Sequence, residues 1–296
     1  EYQMAHYSIK DLEKLSGVKA HTIRIWERRY NLIKPTRTCT NIRVYCDTEL
    51  KKLLNIAILN NHGFKISKIA KLEQKEICGE LERLNSKDDL FQIQIDTMVV
   101  AMVELDRRRF EKILADSTLK IGFEETCINI LYPFLQKVGV MWQTDDINPA
   151  QEHFISSLII QKLYVAIDQA YQPESANTKK ALLYLPEGEF HEMGLLFYRY
   201  LMMKRGYETI YLGQSVPYSD LKKVVEAHEP EVIVTSFVAS ITCENLQSYL
   251  KEMSSNFKGK TIVATGYQVC NFNMPDPKNV KPIQGVKDFI SFIEKK

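Results

Sequence analysis

ALLYLPEGEFHEMG, residues 181–194, joins the end of a strand pattern to the start of a helix pattern. Residues 181–185 read as a strand, Pro186 and Gly188 turn the chain, and a helix is expected over 192–205. Outward from this stretch the pattern repeats. Strands are expected at 209–212, 232–236, 261–265 and 280–283, with helices at 219–228, 244–255 and 286–294. Strands separated by helical crossovers predict a parallel, doubly wound sheet that binds ligands at the carboxyl ends of its strands. Glu189 and His191 stand at the carboxyl end of the first strand. A His two residues after a carboxylate suits a metal ligand whose second ring nitrogen is held by an acid.

Upstream of a polar linker at 172–180, residues 90–172 show helical periodicity alone. Helices at 90–105, 107–118, 121–141 and 149–171 with short connections predict an up-and-down four-helix bundle. In the last connection Asn148 reads as an N-cap and Pro149 as the first helical residue. Trp142 closes one helix, and Glu152 and His153 sit in the opening turns of the next. From residue types alone, an indole and an imidazole filling the bundle end is the simpler reading.

Farther toward the N-terminus, YSIKDLEKLSGVKAHTIRIWERRYNLI runs from Tyr7 to Ile33. Ser8 is a plausible N-cap for an amphipathic helix over 8–16, and Gly17 ends it. A second helix over 19–29 turns Ile23 and Trp26 inward and Arg24, Arg28 and Arg29 outward. The stretch 35–45, PTRTCTNIRVY, has turn formers followed by alternation and reads as a small β-wing carrying Arg37 and Arg43. Helices at 47–60 and 64–72 complete a small core, and the charged stretch 76–89 reads as a linker without sustained heptads. Residues 1–75 hold fifteen Lys/Arg against seven Asp/Glu, a net +8, while the remainder carries −6, so the overall +2 conceals a basic module on an acidic body.

This N-terminal segment resembles the MerR-type winged helix-turn-helix, and W-E-R-R-Y is similar to its cobalamin-dependent light-response branch. The resemblance implies that Arg24, Arg28, Arg29 and Tyr30 approach DNA from the recognition helix. Arg37 lies along the wing, where Arg43 and Tyr45 would clamp phosphate. The stretch around His191 resembles the D-x-H-x-x-G cobalamin signature, with Glu189 in place of Asp. The rest of that signature fits by spacing: 41 residues separate Gly194 from Ser236-Phe237-Val238, and 26 more precede Thr265-Gly266. The likeness implies that His191 coordinates cobalt from below, that Glu189 orients it, and that Ser236, Val238, Thr265 and Gly266 leave a slot for the nucleotide tail. Gly213 would be a further contact. Thr265 replaces the first Gly of the pattern. Trp142-x9-Glu152-His153 resembles the cap of CarH-like photoreceptor repressors. There Trp142 would cover the upper cobalt ligand, Glu152 would position it, and His153 would replace it after cobalt–carbon cleavage.

The composition, 45% hydrophobic and 26% charged with 12 Gly and 10 Pro, excludes collagenous and low-complexity chains. Six cysteines without a C-x-x-C pair, and no signal-like N-terminal pattern, point to reduced thiols in the cytoplasm. No apolar run approaches the roughly 20 residues of a membrane span. The expected fold class is mixed: a mostly α winged helix-turn-helix (1–75), a linker and four-helix bundle (76–175) and a Rossmann-like α/β domain (178–296). The expected function is a DNA-binding transcriptional repressor, without enzymatic activity, that binds promoter DNA as a homo-oligomer, dimer or tetramer. Its expected cofactor is adenosylcobalamin, with methylcobalamin as the alternative, and light would act through cobalt–carbon cleavage and a change of oligomeric state. A light-independent cobalamin sensor or apo-regulator, and a corrinoid methyl-transfer protein, are the rival readings.

Overall fold

The computed structural model describes residues 7–38, 41–61, 63–82, 87–143, 147–170, 178–239, 241–271 and 277–294. Its backbone forms two compact units, Glu1–Ile155 and Ser156–Lys296. The division falls inside α10 (Pro149–Gln169).

In the first unit, α1 (Ile9–Ser16) opens with a reciprocal cap: Asp11 N–H donates to Ser8 Oγ at 3.3 Å, and Ser8 N–H donates to Asp11 Oδ2 at 2.6 Å. Gly17 ends it with φ of 70°, in the left-handed region that a side chain resists. The second helix, α2 (Ala20–Tyr30), follows, and a two-stranded antiparallel wing is built from β1 (Thr36–Arg37) and β2 (Arg43–Val44). The wing is shorter than the alternation of Ile42 and Val44 suggests, and Ile42 lies outside the strand. Next come α3 (Asp47–Asn61) and the short α4 (Ile66–Ile69). Residues 53–59 of α3 are buried all round, which makes this helix the centre of the unit. It packs against α1, α4, α5 (Gln74–Glu82) and α6 (Lys87–Val103). The stretch expected as a linker is therefore largely helical, because Glu, Lys and Leu favour helix and Ile77 is buried.

Helices α6 and α7 (Arg107–Ile121) match two expected bundle helices. The expected single helix at 121–141 is broken. Gly122, with φ of 83°, separates α7 from α8 (Phe123–Thr126), and a π-helical turn, Cys127–Leu131, precedes α9 (Tyr132–Gln143). Pro133 explains the wide turn, since it cannot donate to the carbonyl four residues back and its ring crowds that carbonyl. Phe110 and Phe134 meet edge-to-face at 5.8 Å in the core.

The second unit holds a five-stranded, wholly parallel sheet in the order β4-β3-β5-β6-β7. Its strands are β3 (Lys180–Pro186), β4 (Glu208–Val216), β5 (Val232–Ser236), β6 (Thr261–Thr265) and β7 (Val280–Pro282). Helices α12 (Tyr218–His228) and α13 (Cys243–Asn256) bury Leu221, Val225, Leu246, Leu250 and Met253 against Leu182, Tyr184, Ile233 and Ile262 of one face. Helices α11 (Met193–Lys204) and α15 (Val286–Glu294) pack on each other, and α11 also packs on β3 and β5. A short helix not expected from the sequence, α14 (Tyr267–Asn271), follows β6. The chain runs outward from β3 to β4 and returns on the other side to β5, so the strand order reverses between β3 and β5. The crevice outside the carboxyl ends at such a point is where these sheets bind ligands.

Candidate functional site

On α2 the residues Ile23 and Trp26 are buried, while His21, Arg24, Arg28 and Arg29 are exposed. The Arg29 guanidinium lies 5.5 Å from the Tyr30 ring centroid. On the wing, Arg37 Nη1 donates to Asn41 Oδ1 at 2.6 Å. Arg43 and Tyr45 depart from expectation. Arg43 Nε donates to Glu27 Oε1 at 3.1 Å, and the Tyr45 hydroxyl donates to Glu27 Oε2 at 3.3 Å. Tyr45 is fully buried, and burial together with the Glu27 charge pushes its phenol up to about 12. Its hydroxyl fastens the wing to α2 and is not presented to a phosphate. A carboxylate on α2 accepts from both residues, so they act as struts in this arrangement.

At the carboxyl edge of the sheet, Glu189 is only 5% exposed and accepts five N–H groups. Its Oε1 accepts from the backbone of Phe190 (2.9 Å) and His191 (3.0 Å) and from His191 Nδ1 (2.6 Å). Its Oε2 accepts from the backbone of Val238 (2.7 Å) and Ala239 (2.6 Å) on the loop after β5. Burial alone would raise this carboxyl, but the hydrogen bonds outweigh it and hold Glu189 down at about 2. An ionised carboxylate can only accept, so Nδ1 of His191 carries a proton, and in the neutral ring the lone pair sits on Nε2. The His191 side chain is 61% exposed. A lone imidazole suits a metal that brings its other ligands with it. Among the described residues no three His, Cys, Asp or Glu side chains converge as a metal site.

Gly194, near the start of α11, faces open space, since a side-chain carbon there would meet no protein atom. Gly213 has φ of 81°, and beyond it Ser215 accepts at Oγ from Gly188 N–H (3.1 Å) while its own N–H donates to Glu189 O (3.1 Å). Ser236 and Thr265 are buried. Two of the four residues expected to line a slot between sheet and helix are engaged in packing contacts. Gly266 has φ of 102°, and a Cβ there would lie 2.4 Å from the Phe237 carbonyl oxygen, so its missing side chain lets two loops close on each other. The Thr265 hydroxyl pairs with the Tyr198 hydroxyl of α11 at 3.2 Å, and the Tyr198 ring lies 4.2 Å from Phe289.

At the bundle loop, residues 144–146 lie outside the described residues. Asn148 caps α10 as expected: Gln151 N–H donates to Asn148 Oδ1, and Asn148 N–H donates to Gln151 Oε1, both at 3.0 Å. Trp142 is 46% exposed, and the exposed ring of His153 meets Glu152 Oε2 through Nδ1 at 3.0 Å.

Residues 7–76 match the family model for MerR HTH family regulatory proteins, and residues 94–167 match the B12 binding domain. The chain is a MerR-type regulator with a cobalamin-binding domain. It is 29% identical over 254 residues to the HTH-type transcriptional repressor CarH of Myxococcus xanthus, spanning 83% of this chain and 84% of that one. With the HTH-type transcriptional repressor CarA of the same organism it shares 28% identity over 249 residues, 82% of this chain and 81% of that one. The structure of the Methanosarcina barkeri monomethylamine corrinoid protein superposes with a TM-score of 0.55 at 11% identity, over 70% of this chain and 98% of that one, and shares the fold. These relatives mark a regulator rather than an enzyme.

Around the His191 loop the regulator carries supports that the sequence reading missed. Tyr211 of β4 donates its hydroxyl to Glu192 Oε2 at 2.8 Å, and Arg199 of α11 lies 5.1 Å from the Tyr211 ring centroid. Ser215 joins through its N–H and its hydroxyl, and Ala239 through its backbone N–H. Of these, Glu192 adjoins His191 in sequence and could have been suspected. Ala239 follows Val238, which the spacing reached, whereas Tyr211, Arg199 and Ser215 belong to no motif that the sequence displays.

Proposed function

We propose that the regulator is a repressor that binds adenosylcobalamin in the cytoplasm and releases promoter DNA in the light through a change of oligomeric state. The observation that carries this reading is the Glu189–His191 pair at the strand-order reversal, in a chain whose N-terminal module is of MerR type. His191 would hold cobalt through Nε2, with Glu189 fixing that ring and Gly194 keeping the approach clear. When bound, adenosylcobalamin supplies a cobalt–carbon bond that light breaks. Trp142 and Glu152 would serve the cobalamin's other ligand, and His153, exposed with its Nδ1 turned to Glu152, would present a second nitrogen ligand. Arg24, Arg28, Arg29, Tyr30 and Arg37 meet the DNA. In the dark, an oligomer presents several α2 helices to one promoter, and multivalency raises affinity well beyond that of one module.

The test is a dark and illuminated pair of absorbance spectra, gel shifts and size-exclusion runs on protein loaded with adenosylcobalamin. Illumination is expected to change the spectrum, reduce the oligomer and abolish the shift. His153→Ala should bleach yet keep its shift, and His191→Ala should load poorly. A shift and an elution volume indifferent to light would overturn the light reading. Thr265, whose side chain stands where the signature has Gly and binds Tyr198, favours a second reading: a sensor that answers to cobalamin without light. Dark titration of the apo-protein with adenosyl- and methylcobalamin, followed by the gel shift, separates the two.

A further inference from the structure

Ile25 is 49% exposed on α2, on the same face as His21, Arg24, Arg28 and Arg29. The opposite face carries Ile23 and Trp26 into the core, so Ile25 contributes little to burial within the unit. A β-branched residue is also a poorer helix former than Ala or Arg, so local helix stability does not ask for it. Single exposed apolar residues are common on protein surfaces. This one, however, stands among three exposed arginines, on the surface whose charge is complementary to phosphate. It is the sixth of the eleven residues of α2, within the part of a recognition helix that meets base edges. On the major-groove edges of the four bases, the apolar group offered is the C5-methyl of thymine.

We propose that Ile25 reads a thymine methyl group in the major groove, adding sequence discrimination to the phosphate attraction of the arginines. The inference rests on α2 entering the groove, and it names the base that α2 selects there. Removing either the methyl or the isoleucine removes the same contact, so the two losses should not add.

Full-length protein is used to enrich duplexes from a random library, and each thymine of the enriched site is then replaced in turn by deoxyuridine at fixed salt. Loss of one buried methyl contact is expected to weaken binding about fourfold at one thymine position of each half-site. Ile25→Ala should bind the thymine duplex with a similar loss and show no further loss on the deoxyuridine duplex. Its salt dependence should match that of the wild type, because no phosphate contact is removed. Wild-type binding indifferent to deoxyuridine at every position overturns the proposal, as does full deoxyuridine sensitivity in Ile25→Ala. The scan on the wild-type chain decides the matter even where alanine perturbs the helix. If no duplex is enriched at all, the groove reading of α2 falls first, and this inference falls with it.

Discussion

Glu189 shows how much one side chain can organise. Its two oxygens hold the loop after β3 to the loop after β5 and fix the tautomer of His191 at the same time. Glu189→Gln keeps the shape but brings an NH₂ group toward N–H donors on whichever side it faces. The variant is expected to lose about 2–3 kcal/mol of stability in urea unfolding, since buried donors are left unmatched. A wild-type midpoint would show that the carboxylate is not the tie between the loops. Tyr45 gives the pH counterpart. Its folded value, about 12, lies above the ordinary 10, so the neutral phenol is favoured by folding. That contribution is complete below pH 10 and declines as pH rises through 10 toward 12. A tyrosinate titration of wild type minus Tyr45→Phe should therefore have its midpoint near 12. A midpoint at 10 would mean that the hydroxyl is solvated and the wing is not fastened to α2.

Among the elements, β3, β5 and β6 were legible because continuous apolar runs between turn formers admit few other readings. Helix α2 was legible because Ile23 and Trp26 fall on one face and the arginines on the other. The break at Gly122 and the π turn before Pro133 were not anticipated, since helix-forming residues flank both and periodicity carries across them. Gly266 illustrates a residue whose type was noticed and whose reason was not. The sequence pattern suggested room for a ligand tail, whereas the close approach to Phe237 and the positive φ demand glycine for the fold itself. Gly266→Ala should cost about 3 kcal/mol or more, combining backbone strain with overpacking. Thermal unfolding reads this directly, and an unchanged melting temperature would contradict the contact.

For the molecule as a whole, the charge asymmetry was visible in the residue order, but the physical extent of the basic module was not. The seven α3 residues from 53 to 59 are buried under neighbours that include α5, most of which lies after residue 75, and α6, which lies wholly after it. A fragment of residues 1–75 loses most of α5, including Ile77, and uncovers part of α3. Residues 1–82 are therefore expected to melt at a higher temperature than residues 1–75, and equal melting would show that α5 adds nothing to the module. The sequence by itself determined the order of the parts, the parallel sheet, the basic helix and the candidacy of His191. Each of these depends on local periodicity, composition or fixed spacing. Only the tertiary structure decided that Tyr45 is a buried strut, that Gly266 serves packing, and that Val238 and Ala239 N–H groups complete the Glu189 site. Those outcomes depend on which distant backbone groups arrive at hydrogen-bond distance, and chain order does not encode that distance.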